Sequence, residues 1–115
     1  MISIHKNINK ANTLPGIFYS SDEYFLKSKK IFENTWQLVA HDSLLNKKSI
    51  AFPFFYLDNY IEEPLVLINN EKDELNCFSN VCTHRGNILV EDKISLKSSL
   101  ICRYHGRRFS LDGKC

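Results

Sequence analysis

Residues 82–86 read Cys-Thr-His-Arg-Gly and residues 102–106 read Cys-Arg-Tyr-His-Gly. Written as a pattern, this is Cys82-x-His84, seventeen intervening residues, then Cys102-x-x-His105. Each short stretch offers one thiolate and one imidazole, so a fold that uses them must bring two separate loops to one centre. Two thiolates and two imidazoles suit either a tetrahedral zinc ion or a two-iron, two-sulfur cluster whose outer iron takes histidines in place of cysteines. Ligand order separates the options. Zinc fingers usually bring their cysteines as one close pair and their histidines as another, whereas here each loop supplies one of each. A two-iron cluster explains that directly, with each loop giving its cysteine to one iron and its histidine to the other. Gly86 and Gly106 follow the histidines closely and let the backbone turn beside a cofactor without a side chain in the way.

The rest of the chain sets the frame for this pair. With 115 residues there is room for about one small domain and one modest core. The content is 43% hydrophobic and 24% charged, an ordinary globular balance. A net charge of +2, with no run of five or more like charges, gives no reason to expect a nucleic acid partner. No membrane span is expected either, because the longest apolar run, residues 50–57, is interrupted by Pro53 and falls well short of the ~20 residues a helix needs. The N-terminal residues carry no secretory apolar stretch, which points to a cytoplasmic protein. In that reducing setting Cys77, Cys82, Cys102 and Cys115 are expected as thiols or metal ligands rather than disulfides.

Residues 1–35 read as an N-terminal arm and helix, and 36–115 as a mostly β domain. Leu14-Pro15-Gly16 ends the extended arm. Ser20 and Glu23 fit a capping box, and Tyr24, Phe25, Ile31 and Phe32 recur at helical period, predicting a helix over 22–34 with one apolar face. Short apolar runs follow, and they predict antiparallel strands at 36–40, 51–57, 65–69, 75–79, 100–102 and 108–111. Asn69-Asn70 and Asp112-Gly113 mark turns. The two Cys/His pairs then fall on loops between strands. Cys77 shares a strand face with Leu75 and Ser79, which predicts core packing. His5, His41, Cys77 and Cys115 fall in no motif and receive no role. The run Phe52, Phe54, Phe55 and Tyr56 reads as core and sheet surface.

Cys-Thr-His-Arg-Gly together with Cys-Arg-Tyr-His-Gly and the following Phe-Ser-Leu-Asp-Gly turn resembles the Rieske family. The resemblance implies an antiparallel β sandwich with two cluster-binding loops and one [2Fe-2S] cluster. Cys82 and Cys102 would hold its inner iron, and His84 and His105 its outer, solvent-facing iron. Its function would be one-electron transfer. Rieske proteins of respiratory complexes carry an extra cysteine in each loop, where this chain has Asn87 and Tyr104. The chain is similar instead to the large (alpha) subunit of ring-hydroxylating oxygenases over about residues 14–113. Those enzymes take electrons from a reductase or ferredoxin and pass them to a mononuclear iron in a following catalytic domain, and homo-oligomers such as trimers are implied. The chain departs from the family at Arg107, where an aromatic residue is common.

A mononuclear iron site needs two histidines and a carboxylate. Of the four histidines two are committed, and His5 and His41 offer no such motif. The chain therefore reads as the N-terminal part of an oxygenase subunit, lacking the catalytic domain and some closing strands of the Rieske fold, with weak cluster binding expected in isolation. Whether it is an enzyme by itself stays open. A stand-alone Rieske electron carrier and a zinc-stabilised module are the competing readings. Small Rieske ferredoxins lack the N-terminal segment seen here. All four arginines, Arg85, Arg103, Arg107 and Arg108, lie in or beside the two loops, where they could offset cluster charge or guide an acidic donor. Tyr104 could donate to a cluster sulfur or pack under its loop. Substrates would be aromatic, heterocyclic or quaternary-amine compounds on family grounds.

Overall fold

A computed structural model describes residues 4–115; the first three residues of the expected arm lie outside the described residues. The chain divides into two compact units, one ending at Leu38 and the other running Val39–Cys115.

The first unit holds a short helix α1 (Ile17–Ser20) and a three-turn helix α2 (Asp22–Glu33). Asp22 and Glu23 sit in the first turn of α2 and Lys30 in the last, as the helix dipole favours. The expected capping box is absent. Ser21, not Ser20, occupies the N-cap and makes no side-chain capping bond, while Ser20 belongs to α1 and donates its hydroxyl to the Gly16 carbonyl. The apolar face is not buried either: no residue of α2 is, although Tyr24 stacks on Phe18 with ring centroids 4.0 Å apart. Residues 36–40 form no strand. Their apolar alternation has strand propensity, but no ladder forms on them.

The second unit contains six strands: β1 (Ile50–Tyr56), β2 (Glu63–Asn69), β3 (Leu75–Ser79), β4 (Ile94–Ser95), β5 (Ser99–Ile101) and β6 (Arg108–Ser110). The first four form an antiparallel sheet in the order β3-β2-β1-β4, and β5 with β6 forms a two-stranded one. Pro53 lies beyond Ile50 and Ala51, the two residues that pair with β4, where a residue without an N–H is tolerated. Strand alternation sorts the large sheet into two apolar faces. On one, Ala51, Val66 and Ile68 are fully enclosed and pack with Cys82, Val90, Leu100, Cys102, Phe109 and Leu111. Burying Val66 or Ile68 stabilises the fold by about 1.5–3 kcal/mol each. On the other, Ile50 and Leu67 pack with Leu45 from a single 3-10 turn at Asp42–Leu45.

Cys77 lies on that second face, beside Leu75 and Ser79, and is exposed, so core packing is not its role. The shared face is as expected. The core, however, gathers on the opposite side, where the two cysteine-bearing loops close over Val66 and Ile68. Asn70 closes the β2–β3 turn, accepting from the backbone of Lys72 and Glu74 and donating to Asp112 in the turn after β6. That bond ties the two sheets together.

Candidate metal centre

Two hairpin ends meet above the main core. After the isolated bridge Val81↔Ile88, the Cys82 N–H donates to the Asn87 carbonyl (2.8 Å) and the Gly86 N–H to the Cys82 carbonyl (3.0 Å). At the tip of β5–β6, the Cys102 N–H donates to the Arg107 carbonyl (2.8 Å) and the Gly106 N–H to the Cys102 carbonyl (2.9 Å). The two loops are one backbone knuckle built twice. In each, the glycine stands four residues after the cysteine with φ near +70° (+69° and +74°), a conformation costly for any residue with a Cβ. The histidine falls at a different step of the knuckle: two residues after Cys82, three after Cys102.

The four expected ligands come together in two tiers. Cys82 and Cys102 are 2% exposed and form part of the core. His84 and His105 are exposed at the surface, with their Nδ1 atoms 3.2 Å apart and rings in edge contact. The Tyr104 backbone N–H, foremost, holds the Cys102 thiol below its ordinary range, helped by hydrogen bonds from Cys82, His105 and the Asn87 side chain. A thiol biased toward thiolate is prepared for metal ligation. A tetrahedral zinc ion draws four donors to one point. Among the described residues no three His, Cys, Asp or Glu side chains are grouped to hold a single ion. Buried sulfur below and exposed nitrogen above fit a group with one iron in each tier.

Around this centre the four arginines are exposed. Arg103 pairs with Glu91 at 3.6 Å, a separation that contributes little at the surface. The Arg107 guanidinium donates to the Thr83 hydroxyl at 3.0 Å, reaching from the second loop to the first. Tyr104 does not pack beneath its loop: it is 55% exposed and stacks on the His105 ring at 3.9 Å.

His5 accepts from the Asn7 backbone, and His41 caps the Asp42–Leu45 turn by accepting from the Ser43 N–H. One supporting residue is not signalled by the motif. Asn80, 3% exposed, donates to the Val90 carbonyl (2.7 Å) and accepts from the Val90 N–H (3.0 Å), clamping both limbs of the first loop.

Comparison with known proteins agrees with this geometry. The family model for the Rieske [2Fe-2S] domain matches residues 35–115. Toluate 1,2-dioxygenase subunit alpha of Pseudomonas putida is 35% identical over 89 residues, covering 77% of this chain and 19% of that protein. The 2-halobenzoate 1,2-dioxygenase large subunit of Burkholderia cepacia is 32% identical over 99 residues, covering 85% and 20%. Among solved structures, a quaternary ammonium Rieske monooxygenase, described in connection with carnitine oxidation by gut microbiota and inter-subunit electron transfer, superposes with a TM-score of 0.77 at 34% identity, covering 89% of this chain and 27% of that one. The chain spans about a fifth of the length of these curated relatives.

Proposed function

Because the chain belongs to the Rieske [2Fe-2S] domain family, we propose that Cys82 and Cys102 hold the inner iron of its cluster and His84 and His105 the outer one, and that this chain receives electrons for an oxygenase reaction. The observation that carries the ligand assignment is the two-tier donor set, thiols buried in the core and imidazoles meeting at the surface. When bound, the cluster supplies reversible one-electron storage. The chain's own residues supply the setting. The Tyr104 backbone N–H, foremost, biases the Cys102 thiol toward thiolate, and the core around Cys82 and Cys102 excludes water from the lower tier. His84 and His105, exposed, form the face through which electrons enter. Neutral imidazole ligands in place of thiolates raise the potential, to roughly −150 to +300 mV against about −400 mV for four-cysteine plant-type ferredoxins.

The electron donor is proposed to be a reductase or ferredoxin with an acidic docking surface, since four exposed arginines crowd the two loops. A homo-oligomer passing electrons between subunits follows the solved relative described in those terms. The domain reading is residues 1–35 as arm and helix and 36–115 as Rieske domain. His5 and His41 are both engaged in local turn contacts, so the mononuclear iron of the implied hydroxylation is assigned to sequence outside residues 1–115. The proposed location is the cytoplasm, a reducing setting in which Cys82 and Cys102 are kept for the cluster and Cys77 and Cys115 as thiols. Among the described residues, no helix is long and apolar enough to cross a membrane.

Metal analysis of the purified chain tests this reading. Iron and acid-labile sulfide in equal amounts, with the electron paramagnetic resonance of a mixed-ligand cluster after reduction, are expected; stoichiometric zinc without sulfide overturns it.

A further inference from the structure

The two knuckles are joined at more than their ligands. Counting from each cysteine, Asn87 and Arg107 occupy the same step, five residues on, and each accepts its own cysteine's N–H through its backbone carbonyl. Their side chains then part ways. The Asn87 amide stays in its own loop, donating to the Ile88 carbonyl (2.7 Å), whereas the Arg107 guanidinium crosses from the second loop to the first and donates to the Thr83 hydroxyl (3.0 Å). Arg107 acts in the exposed tier, and Thr83 stands between Cys82 and His84. A guanidinium stays charged at every accessible pH and makes directional bonds with a rigid fork.

We propose that Arg107 is a positioning residue that straps the second loop to the first through Thr83 and fixes a permanent positive charge beside the His84–His105 pair. This deepens the electron-transfer reading and rests on it. The strap fixes the spacing of two loops that are otherwise tied in this tier only by the imidazole pair, among the described contacts. The charge favours the state that has gained an electron. Arg107 is thus a determinant of both loop rigidity and the tendency of the centre to be reduced.

Two variants of the full chain separate these effects. Arg107→Gln removes the charge and weakens the strap, whereas Thr83→Val removes the acceptor and leaves the charge. Redox titration of the loaded protein should show Arg107→Gln lowering the equilibrium constant for reduction about fivefold, roughly 40 mV for a one-electron couple. Thr83→Val should change it by less than half as much in mV. Amide hydrogen exchange at Gly86 and Gly106, read in loaded and metal-free protein alike, should quicken about threefold to tenfold in both variants. A potential unmoved in Arg107→Gln overturns the charge role, and exchange unmoved in both variants overturns the strap. Exchange in the metal-free chain still reports on the strap if a variant loses its cluster. A wild-type chain that takes up zinc without sulfide overturns the underlying electron-transfer reading, a result distinct from either failure above.

Discussion

Asn80→Ala is expected to destabilise the fold by about 2–6 kcal/mol, and the size follows from two atoms of Val90. The Asn80 carboxamide accepts from the Val90 N–H and donates to the Val90 carbonyl, and both residues are almost wholly enclosed, at 3% and 2% exposure. Truncation to alanine leaves that N–H and that carbonyl without partners in a site water does not reach, at about 1–3 kcal/mol each. Set against a typical domain stability of about 5–15 kcal/mol, this is a large fraction. Asn80→Asp sharpens the test. A carboxylate can accept from the Val90 N–H but opposes the Val90 carbonyl with a second acceptor, whereas a protonated carboxyl can both donate and accept. Burial and the facing carbonyl therefore raise the folded-state pKa of the introduced aspartate above its unfolded value of about 3.9. The linked stabilisation is then fully present below about pH 3.9 and is lost as pH rises through the folded value. Urea titrations followed by circular dichroism, with wild type and both variants compared at each pH, should show the aspartate variant approaching wild type in acid and falling away toward neutrality. The alanine deficit should hold constant across the same range. A deficit below about 0.5 kcal/mol for Asn80→Ala, or parallel pH curves for the two variants, refutes the clamp.

Gly113→Ala should destabilise the chain by about 1–3 kcal/mol, because a Cβ there would stand 2.5 Å from the Phe78 ring at a backbone φ of +81°; Gly16→Ala, with open space around it, serves as the control, and thermal melts that treat the two alike would sink the steric account. The depressed Cys102 thiol makes a prediction for the metal-free chain. A folded pKa lowered chiefly by the Tyr104 N–H adds stability above the unfolded thiol value of about 8.5 and loses it as pH falls through the folded value. Cys102→Ala should therefore flatten the rise of stability across that window, and an unchanged slope in chemical denaturation would contradict the assignment.

Much of the sheet is legible in the sequence because β-branched and aromatic residues cluster in β1 and β2 and turn residues bound them. The ligand loops are legible because cysteine and histidine at short spacing carry chemistry that little else requires. What escapes is settled by tertiary contact. Ile94–Ser95 is too short to carry a pattern, and it becomes a strand only because Ile50 and Ala51 offer an edge. Residues 36–40 have strand-like residues but form no ladder, so propensity alone misleads there. For Cys77 alternation gives the face correctly, but which face becomes core depends on where distant loops fold back. Asn80 reads locally as a turn former; its role as a clamp needs Val90 ten residues on. The equivalence of the two loops is present in the sequence as a Cys-to-Gly interval of four in both, a signal obscured by the unequal histidine spacing.

That equivalence has a consequence for redesign. The knuckle's backbone is fixed by its cysteine and by the glycine four residues later, and it carries an imidazole at the second step in one copy and at the third in the other without altering its hydrogen bonds. Scaffold and ligand identity are thus separable. The intervening steps act as sockets on a constant mount, so that a thiol, an imidazole or a carboxylate could be exchanged at either step to retune the centre while the hairpin beneath it is left alone.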